Sequence, residues 1–189
     1  MDKLKNKILE HGNVLSNDVL LLDGIINHRV EPKLMMEIGK EFARIFAGER
    51  ITKVITIESS GIPAAFATAY ELDVPMVFAR RKKTLIADPD AYCERVPSFT
   101  KGIVTDLLVS KQYLSPDDSV LFIDDIIANG DAARGLVKII ERSGAKLVGL
   151  GVIVEKTFQN GGKLLREQGV RLEPLVRISS LHNGQITFE

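Results

Sequence analysis

Val120-Leu121-Phe122-Ile123-Asp124-Asp125-Ile126-Ile127-Ala128-Asn129-Gly130-Asp131-Ala132-Ala133 reads as one unit: an apolar run, two acids, a short turn and the start of a helix. Four apolar residues in succession, without polar alternation, are what a strand covered on both faces requires, as in a parallel sheet. In an open parallel sheet, ligands bind beyond the carboxyl ends of the strands, where Asp124 and Asp125 emerge. Adjacent carboxylates can accept hydrogen bonds from two neighbouring ribose hydroxyls, directly or through a bound cation. Gly130 permits close backbone approach, and the new helix offers free N–H groups to a phosphate. A sugar phosphate fits both halves. The alternative is a plain strand-to-helix turn whose acids act as solvated caps.

Outward from this stretch, β-branched runs alternate with helical stretches, the pattern of an α/β fold with crossover helices. Strands are expected at Lys53 to Ile57, Met76 to Ala79, Ser119 to Asp124, Leu147 to Val154 and Arg171 to Ile178, with helices at Ile62 to Glu71 and Gly130 to Ser143. Upstream, Pro32 suits the first turn of a helix running to about Ala47, with Leu34, Met35, Ile38, Phe42, Ile45 and Phe46 as its buried stripe and Gly48 ending it. Residues 2–10 set Leu4, Ile8 and Leu9 among lysines, a short amphipathic helix. Asp18 to Leu22 is a short apolar run that suits a strand, followed by the polar loop Asn27-His28-Arg29. Tyr92 to Gln112 reads as two strands around Thr100-Lys101-Gly102, a projecting hairpin.

With 189 residues the chain suits one domain with a single good core. Lysine plus arginine and aspartate plus glutamate both total 25, so no net charge draws the whole protein to nucleic acid or an anionic membrane, and neither is expected as a partner. The amino-terminal residues lack the apolar stretch of a signal peptide, and Cys93, the one cysteine, can form no internal disulfide, so the cytoplasm is the expected compartment. His11, His28 and His182 are scattered without metal or triad spacing, and no metal-ligand set is expected.

The acid pair and its small-residue loop resemble the signature of the type I phosphoribosyltransferase family. Further stretches match in order: Ile57-Glu58-Ser59-Ser60-Gly61-Ile62-Pro63, Val77-Phe78-Ala79-Arg80, Ser98-Phe99-Thr100-Lys101 and Ile153-Val154-Glu155-Lys156-Thr157-Phe158. With Ala-Asn-Gly after Asp-Asp-Ile-Ile, the whole series is similar to the bacterial xanthine type within that family. The resemblance implies a mostly parallel central sheet flanked by helices. It also implies a hood made of residues 1–36 with about 157–189, and a flexible loop at about 90–113 that closes over the site and excludes water. It implies transfer of the phosphoribosyl group of phosphoribosyl pyrophosphate to a purine, xanthine above guanine, hypoxanthine or adenine. Mg2+ as cofactor and a homodimer are implied as well. A rival in another class is a regulator that senses phosphoribosyl pyrophosphate, for which the chain has no spare basic module.

By the same resemblance, Ala128, Asn129, Gly130, Asp131 and Ala132 line the 5′-phosphate, and Asp124 and Asp125 hold the ribose hydroxyls. Glu58, Ser59, Ser60 and Gly61 form the pyrophosphate loop, and Arg80, from the basic run Arg80-Arg81-Lys82-Lys83, reaches pyrophosphate. Leu20, Asn27 and Lys156 surround the base. A lysine ammonium only donates, so Lys156 suits an oxo group and faces the amino group of adenine as donor to donor. Each has a plain alternative: Ser59 or Ser60 as a helix cap, the basic run as a solvated edge, Lys156 as an exposed lysine, Asn27 as a turn residue. Two features stand apart from the wider family. Asn129 and Ala132 stand where many relatives have threonines, with Asp131 putting an anion beside the phosphate, and Ala128 stands where hypoxanthine-guanine enzymes place an acid.

Overall fold

The computed structural model describes residues 1–82, 89–98 and 103–189. The chain runs α1 (Asp2–His11), β1 (Asn13–Val14), β2 (Leu20–Leu21), a π-helical turn at Asp23–Asn27, α2 (Pro32–Ile45), β3 (Lys53–Ile57), α3 (Ile62–Leu72) and β4 (Met76–Lys82). It continues through β5 (Ala91–Ser98), β6 (Ile103–Ser110), β7 (Ser119–Ile127), α4 (Asp131–Ser143), β8 (Lys146–Lys156), α5 (Gly161–Glu167), β9 (Leu172–Ser180) and β10 (Thr187–Phe188). Among the described residues, no helix is long and apolar enough to cross a membrane.

The main sheet has the order β10-β9-β8-β7-β3-β4-β6-β5. The five strands β9, β8, β7, β3 and β4 are parallel, and antiparallel pairings add β10 at one margin and the β5–β6 hairpin at the other. This is the α/β, mostly parallel architecture expected from the alternation of runs. Val120, Leu121, Phe122 and Ile123 of β7 are fully buried, as a central strand covered on both faces demands.

Two apolar clusters sandwich the sheet. On one face α1, α2 and α3 supply Leu4, Ile8, Ile38, Phe42 and Ala67. On the other, α4 and the hairpin supply Leu136, Ile139, Ile140, Val96 and Leu107. Burying each of the larger side chains contributes roughly 1.5–3 kcal/mol. Gly39 is where α2 meets α3 most closely: a Cβ there would lie 2.5 Å from the Ala67 carbonyl carbon, so only glycine lets the helices approach this far. The two ends of the chain also meet, for the Lys5 ammonium lies 5.3 Å from the centre of the Phe188 ring and donates to the Glu189 carbonyl oxygen at 3.2 Å.

Several boundaries differ from the sequence reading. Strand β7 carries on through Asp125, Ile126 and Ile127, which the sequence places in a loop, because β8 alongside extends to Lys156 and keeps the ladder paired. Helix α2 stops at Ile45, and Gly48 serves the following turn with φ of 87°. The run Asp18 to Leu22 yields only Leu20–Leu21 as strand, paired with β1. Leu9 is exposed, because Leu4 and Ile8 alone face the core from α1. The hairpin forms as expected from Ala91–Ser98 and Ile103–Ser110. Its expected turn, Thr100-Lys101-Gly102, lies outside the described residues together with Phe99 and Lys83.

Candidate functional site

At the carboxyl end of β7 a cleft of about 180 Å3 is lined by Arg81, Pro97, Asp124 and the stretch Ile126 to Ala133. The bend after Ile127 is tight for reasons written in two glycines. Gly130 has φ of 75°, a left-handed conformation that side chains resist, and it caps α4. Gly161, from the start of α5, lies beneath the turn: a Cβ there would stand 2.4 Å from the Ala128 carbonyl oxygen and 2.6 Å from the Gly130 nitrogen. Its own N–H donates to the Ala128 carbonyl at 3.0 Å. The loop Ala128 to Ala132 is therefore braced from a segment about thirty residues further on.

Asp124 is buried and Asp125 half-buried at the base of the cleft. The Asp124 carboxylate accepts the Asp125 N–H at 3.0 Å. Burial above all, and then the charge of Asp125, holds the Asp124 carboxyl well above the ordinary aspartate range, with Arg81 pulling it back down. Burial also raises Asp125, against hydrogen bonds from the Ile126 N–H, from Asp124 and from the Ser60 hydroxyl. Among the described residues neither carboxylate makes a salt bridge, which suits ligands that bring hydroxyl donors or a cation.

The loop after β3 closes against this pair. A Cβ on Gly61 would lie 2.9 Å from Asp124 Oδ1 and 2.3 Å from Thr56 Oγ1, so glycine is required for the contact. Glu58 turns outward to the end of β4, accepting the Arg81 N–H at 2.6 Å and pairing with the Arg80 guanidinium at 2.9 Å. The Glu58–Ser59 peptide is cis. Arg81, rather than Arg80, lines the cleft, because successive residues of a strand point to opposite faces. Arg80 instead lies over the Phe78 ring at 5.6 Å.

The residues expected around the base come from distant stretches. Lys156 ends β8, and the pairing of Ile127 with Glu155 puts it level with the start of the Ala128 loop. It is 6% exposed, and its Nζ donates to the Asp18 carbonyl oxygen at 2.7 Å, which ties it to the segment carrying Leu20. Burial pushes its pKa below the ordinary lysine value, against the charge of Asp18. Leu20 is buried, whereas Asn27 is exposed and donates its amide to Asp23 Oδ1 at 3.1 Å. Lys156 is thus a buried ammonium bonded to a main-chain oxygen, unlike the exposed lysine of the plain alternative.

Sequence reasoning named Arg81 only within the basic run, choosing Arg80, and missed Pro97, Arg134 and Gly161. The Gly161-Gly162 pair after Asn160 was a visible signal of close backbone approach. Gly162 packs against Glu155, which is buried and held by both terminal nitrogens of Arg166 at 2.5 and 2.7 Å, anchoring α5 where Gly161 reaches the loop. Cys93 shows no activation, since burial raises its pKa.

Residues 30–169 match the family model described as the phosphoribosyl transferase domain. The full chain is 53% identical to a xanthine phosphoribosyltransferase from Moorella thermoacetica, covering 96% of that protein, and 51% identical to one from Bacillus mycoides, covering 95%. An adenine phosphoribosyltransferase structure from Rhodothermus marinus superposes with a TM-score of 0.75 at 23% identity, over 94% of this chain and all of that one. The adenine phosphoribosyl transferase of Trypanosoma brucei, in complex with AMP, pyrophosphate and ribose-5-phosphate, gives 0.74 at 24% identity over 92% of this chain and 79% of its own. These structures share the fold with this chain.

Proposed function

The chain belongs to the phosphoribosyltransferase family, and from that membership we propose that it transfers the 5-phosphoribosyl group of phosphoribosyl pyrophosphate to N9 of xanthine. The products are xanthosine 5′-monophosphate and pyrophosphate, a purine salvage reaction. The observation that carries the base assignment is the 53% identity, over the full chain, to a xanthine phosphoribosyltransferase. The buried Lys156 ammonium gives it a chemical reason.

In the reaction, a bond forms between N9 and C1′ as the bond from C1′ to pyrophosphate breaks, and pyrophosphate leaves with the electron pair. The loop Ala128 to Ala132 holds the 5′-phosphate through its N–H groups, and Asp124 and Asp125 accept the two ribose hydroxyls. The raised proton affinity of that pair supports the role, because two hydroxyl donors stabilise the charged form that burial disfavours. Glu58, Ser59, Ser60 and Gly61 face the pyrophosphate, with Arg81 lining the cleft and Arg80 held on Glu58 beside it. Catalysis then comes chiefly from positioning and from stabilising the departing anion. Ala128 offers no base, and xanthine, unusually acidic for a purine, ionises in part without one.

Mg2+ supplies charge neutralisation to the pyrophosphate oxygens when bound. The fit is to a cation held mainly by the donor's own oxygens: among the described residues the carboxylates Asp124 and Asp125 make no salt bridge, and there is no cluster of three or more His, Cys, Asp or Glu. Leu20, Asn27 and Lys156 surround the base, beneath a hood formed by residues 1–36 and about 157–189. The enzyme acts as a cytoplasmic homodimer. Supporting the dimer are two hollows that share Met76, one carrying exposed Phe66 and Tyr70 and the other Phe78 and exposed Tyr113.

The test is steady-state nucleotide formation from phosphoribosyl pyrophosphate and Mg2+ with xanthine, guanine, hypoxanthine and adenine in turn. Xanthine is expected to be preferred, and Lys156→Ala to lower kcat/KM for xanthine by about a hundredfold, the worth of a buried charged hydrogen bond. Preference for another base, or indifference to Lys156→Ala, overturns the base assignment. Binding of the donor with no turnover of any base makes the protein a sensor.

A further inference from the structure

Asp131 is an awkward residue in a loop that cradles phosphate, because a carboxylate beside a phosphate dianion is repelled. Its charge is met one helical turn on. Arg134 reaches back along α4 so that Nη2 lies 2.5 Å from Asp131 Oδ1, while Nη1 donates to the Asn129 carbonyl oxygen at 2.7 Å. The two side chains are only 23% and 15% exposed, so water screens this pair less than it screens a surface pair. The Arg134 N–H also donates to the Gly130 carbonyl at 2.9 Å, and Nη1 lies 3.3 Å from where a Cβ on Gly130 would stand. One residue therefore touches Asn129, Gly130 and Asp131 from the side of the helix. Bonding the Asn129 carbonyl fixes the plane of the peptide that joins it to Gly130, since the group is rigid.

We infer that Arg134 is a positioning residue for the phosphate donor: it cancels the Asp131 carboxylate and fixes the Asn129–Gly130 peptide, so the loop meets a 5′-phosphate without an opposing charge. The inference rests on the donor-binding role proposed for this loop. Among the described residues the side-chain hydrogen bonds of Arg134 go to Asn129 and Asp131 of that loop, so its effect is expected on the donor and not on the base.

The experiment compares wild type, Arg134→Ala, Arg134→Gln and the double variant Arg134→Ala/Asp131→Asn. It reads KM for phosphoribosyl pyrophosphate, KM for xanthine, kcat, and calorimetric Kd for phosphoribosyl pyrophosphate with Mg2+. Arg134→Ala is expected to raise the donor KM and Kd by about tenfold while leaving the xanthine KM and kcat near wild type, the scale of one charge-assisted contact. Adding Asp131→Asn is expected to bring the donor KM back to within about threefold of wild type, because removing the carboxylate removes what the arginine cancels. Arg134→Gln, which keeps a donor for Asn129 without the charge, is expected between the two. A fall in kcat at unchanged donor KM, or a donor defect that neither Asp131→Asn nor the retained amide donor of Arg134→Gln reduces, marks a merely structural arginine and overturns the inference. If wild type binds the donor but turns over no base, and Arg134→Ala weakens that binding, the proposed activity fails and the role of Arg134 stands. If wild type makes nucleotide and Arg134→Ala binds the donor equally well, the activity stands and the inference falls.

Discussion

The proposed phosphate loop lines the cleft and follows a single stretch of chain, whereas the proposed base-side wall draws on three separate positions, none of them among the residues lining that cleft. Strand β7, the turn and the first helical turn of α4 follow one another from Ser119 to Arg134, and the turn is held by Gly130, Gly161 and Arg134. The proposed base wall takes Leu20, Asn27 and Lys156 from across more than a hundred residues, and the bond from Lys156 to the Asp18 carbonyl ties the lysine to the segment carrying Leu20. A contiguous, multiply braced loop can be rigid before any ligand arrives, which is how fixed dipoles best serve a charged group. A wall assembled at long range depends on the packing of the amino-terminal segment. The donor side should therefore respond to substitution through geometry, and the base side through individual hydrogen bonds.

The sharpest test of the donor side removes the acid pair. Asp124→Asn with Asp125→Asn is expected to lower kcat/KM by about a thousandfold, since the carboxylates are the proposed ribose anchors and buried polar anchors of this kind are costly to neutralise. Steady-state kinetics at saturating xanthine checks it. A loss below about tenfold would mean that the loop alone carries the donor.

The brace is the next target. In Gly161→Ala the three atoms nearest the new methyl are all main-chain, including the Ala128 oxygen at 2.4 Å and the Gly130 nitrogen at 2.6 Å, so the loop itself must move. The donor KM is expected to rise about tenfold with the xanthine KM unchanged, because a displacement of about an ångström is enough to spoil positioned contacts. Equal effects on both substrates would show that the two halves are coupled and that the contrast between them is false.

Asp124 and Asp125 also give the comparison a pH signature. Their carboxyls are raised, chiefly by burial, so above the ordinary aspartate value of 3.8 the native protein holds protons that the unfolded chain has released. Stability contributed by the pair is then greatest near that value and falls as pH rises through the raised pKa values. Relative to wild type, the double asparagine variant is expected to melt higher at neutral pH, with the gap narrowing as pH is lowered toward 3.8. Thermal melts across that range check the sign. A gap that widens on acidification would show that the pair is stabilised by its charge.

How much of this was legible in the sequence follows the same divide. The donor loop could be read because its residues are consecutive and obey local rules: buried strand, acids at its end, glycine at the turn. Even there the end of β7 was misplaced by three residues, since Asp125, Ile126 and Ile127 stay in the ladder only because β8 runs alongside them. Arg134 was invisible as a loop partner, hidden in an ordinary amphipathic helix, while the Gly161-Gly162 pair signalled a close backbone approach without saying that the crossover brings it under the Ala128 turn. The base wall was nameable through family resemblance alone. Nothing in the local pattern of Asp18 to Leu22 announces that its main chain will meet Lys156, 138 residues away.

Asn27 is the weakest member of the proposed base wall and gives the smallest expected effect. It is exposed, it closes a π-helical turn, and its amide already donates to Asp23 Oδ1. To bond the base it must exchange that partner, so the net gain is the difference between two neutral or singly charged hydrogen bonds in a wet place. Asn27→Ala is accordingly expected to raise the xanthine KM by only about threefold, with the donor KM untouched. Asp23→Ala, which frees the amide, is expected to lower the xanthine KM slightly or leave it unchanged. If Asn27→Ala instead matches the loss in Lys156→Ala, the amide must be buried when xanthine is bound. The hood would then close over the base, and the base wall would owe its strength to that closure, as the donor loop owes its own to glycine and Arg134.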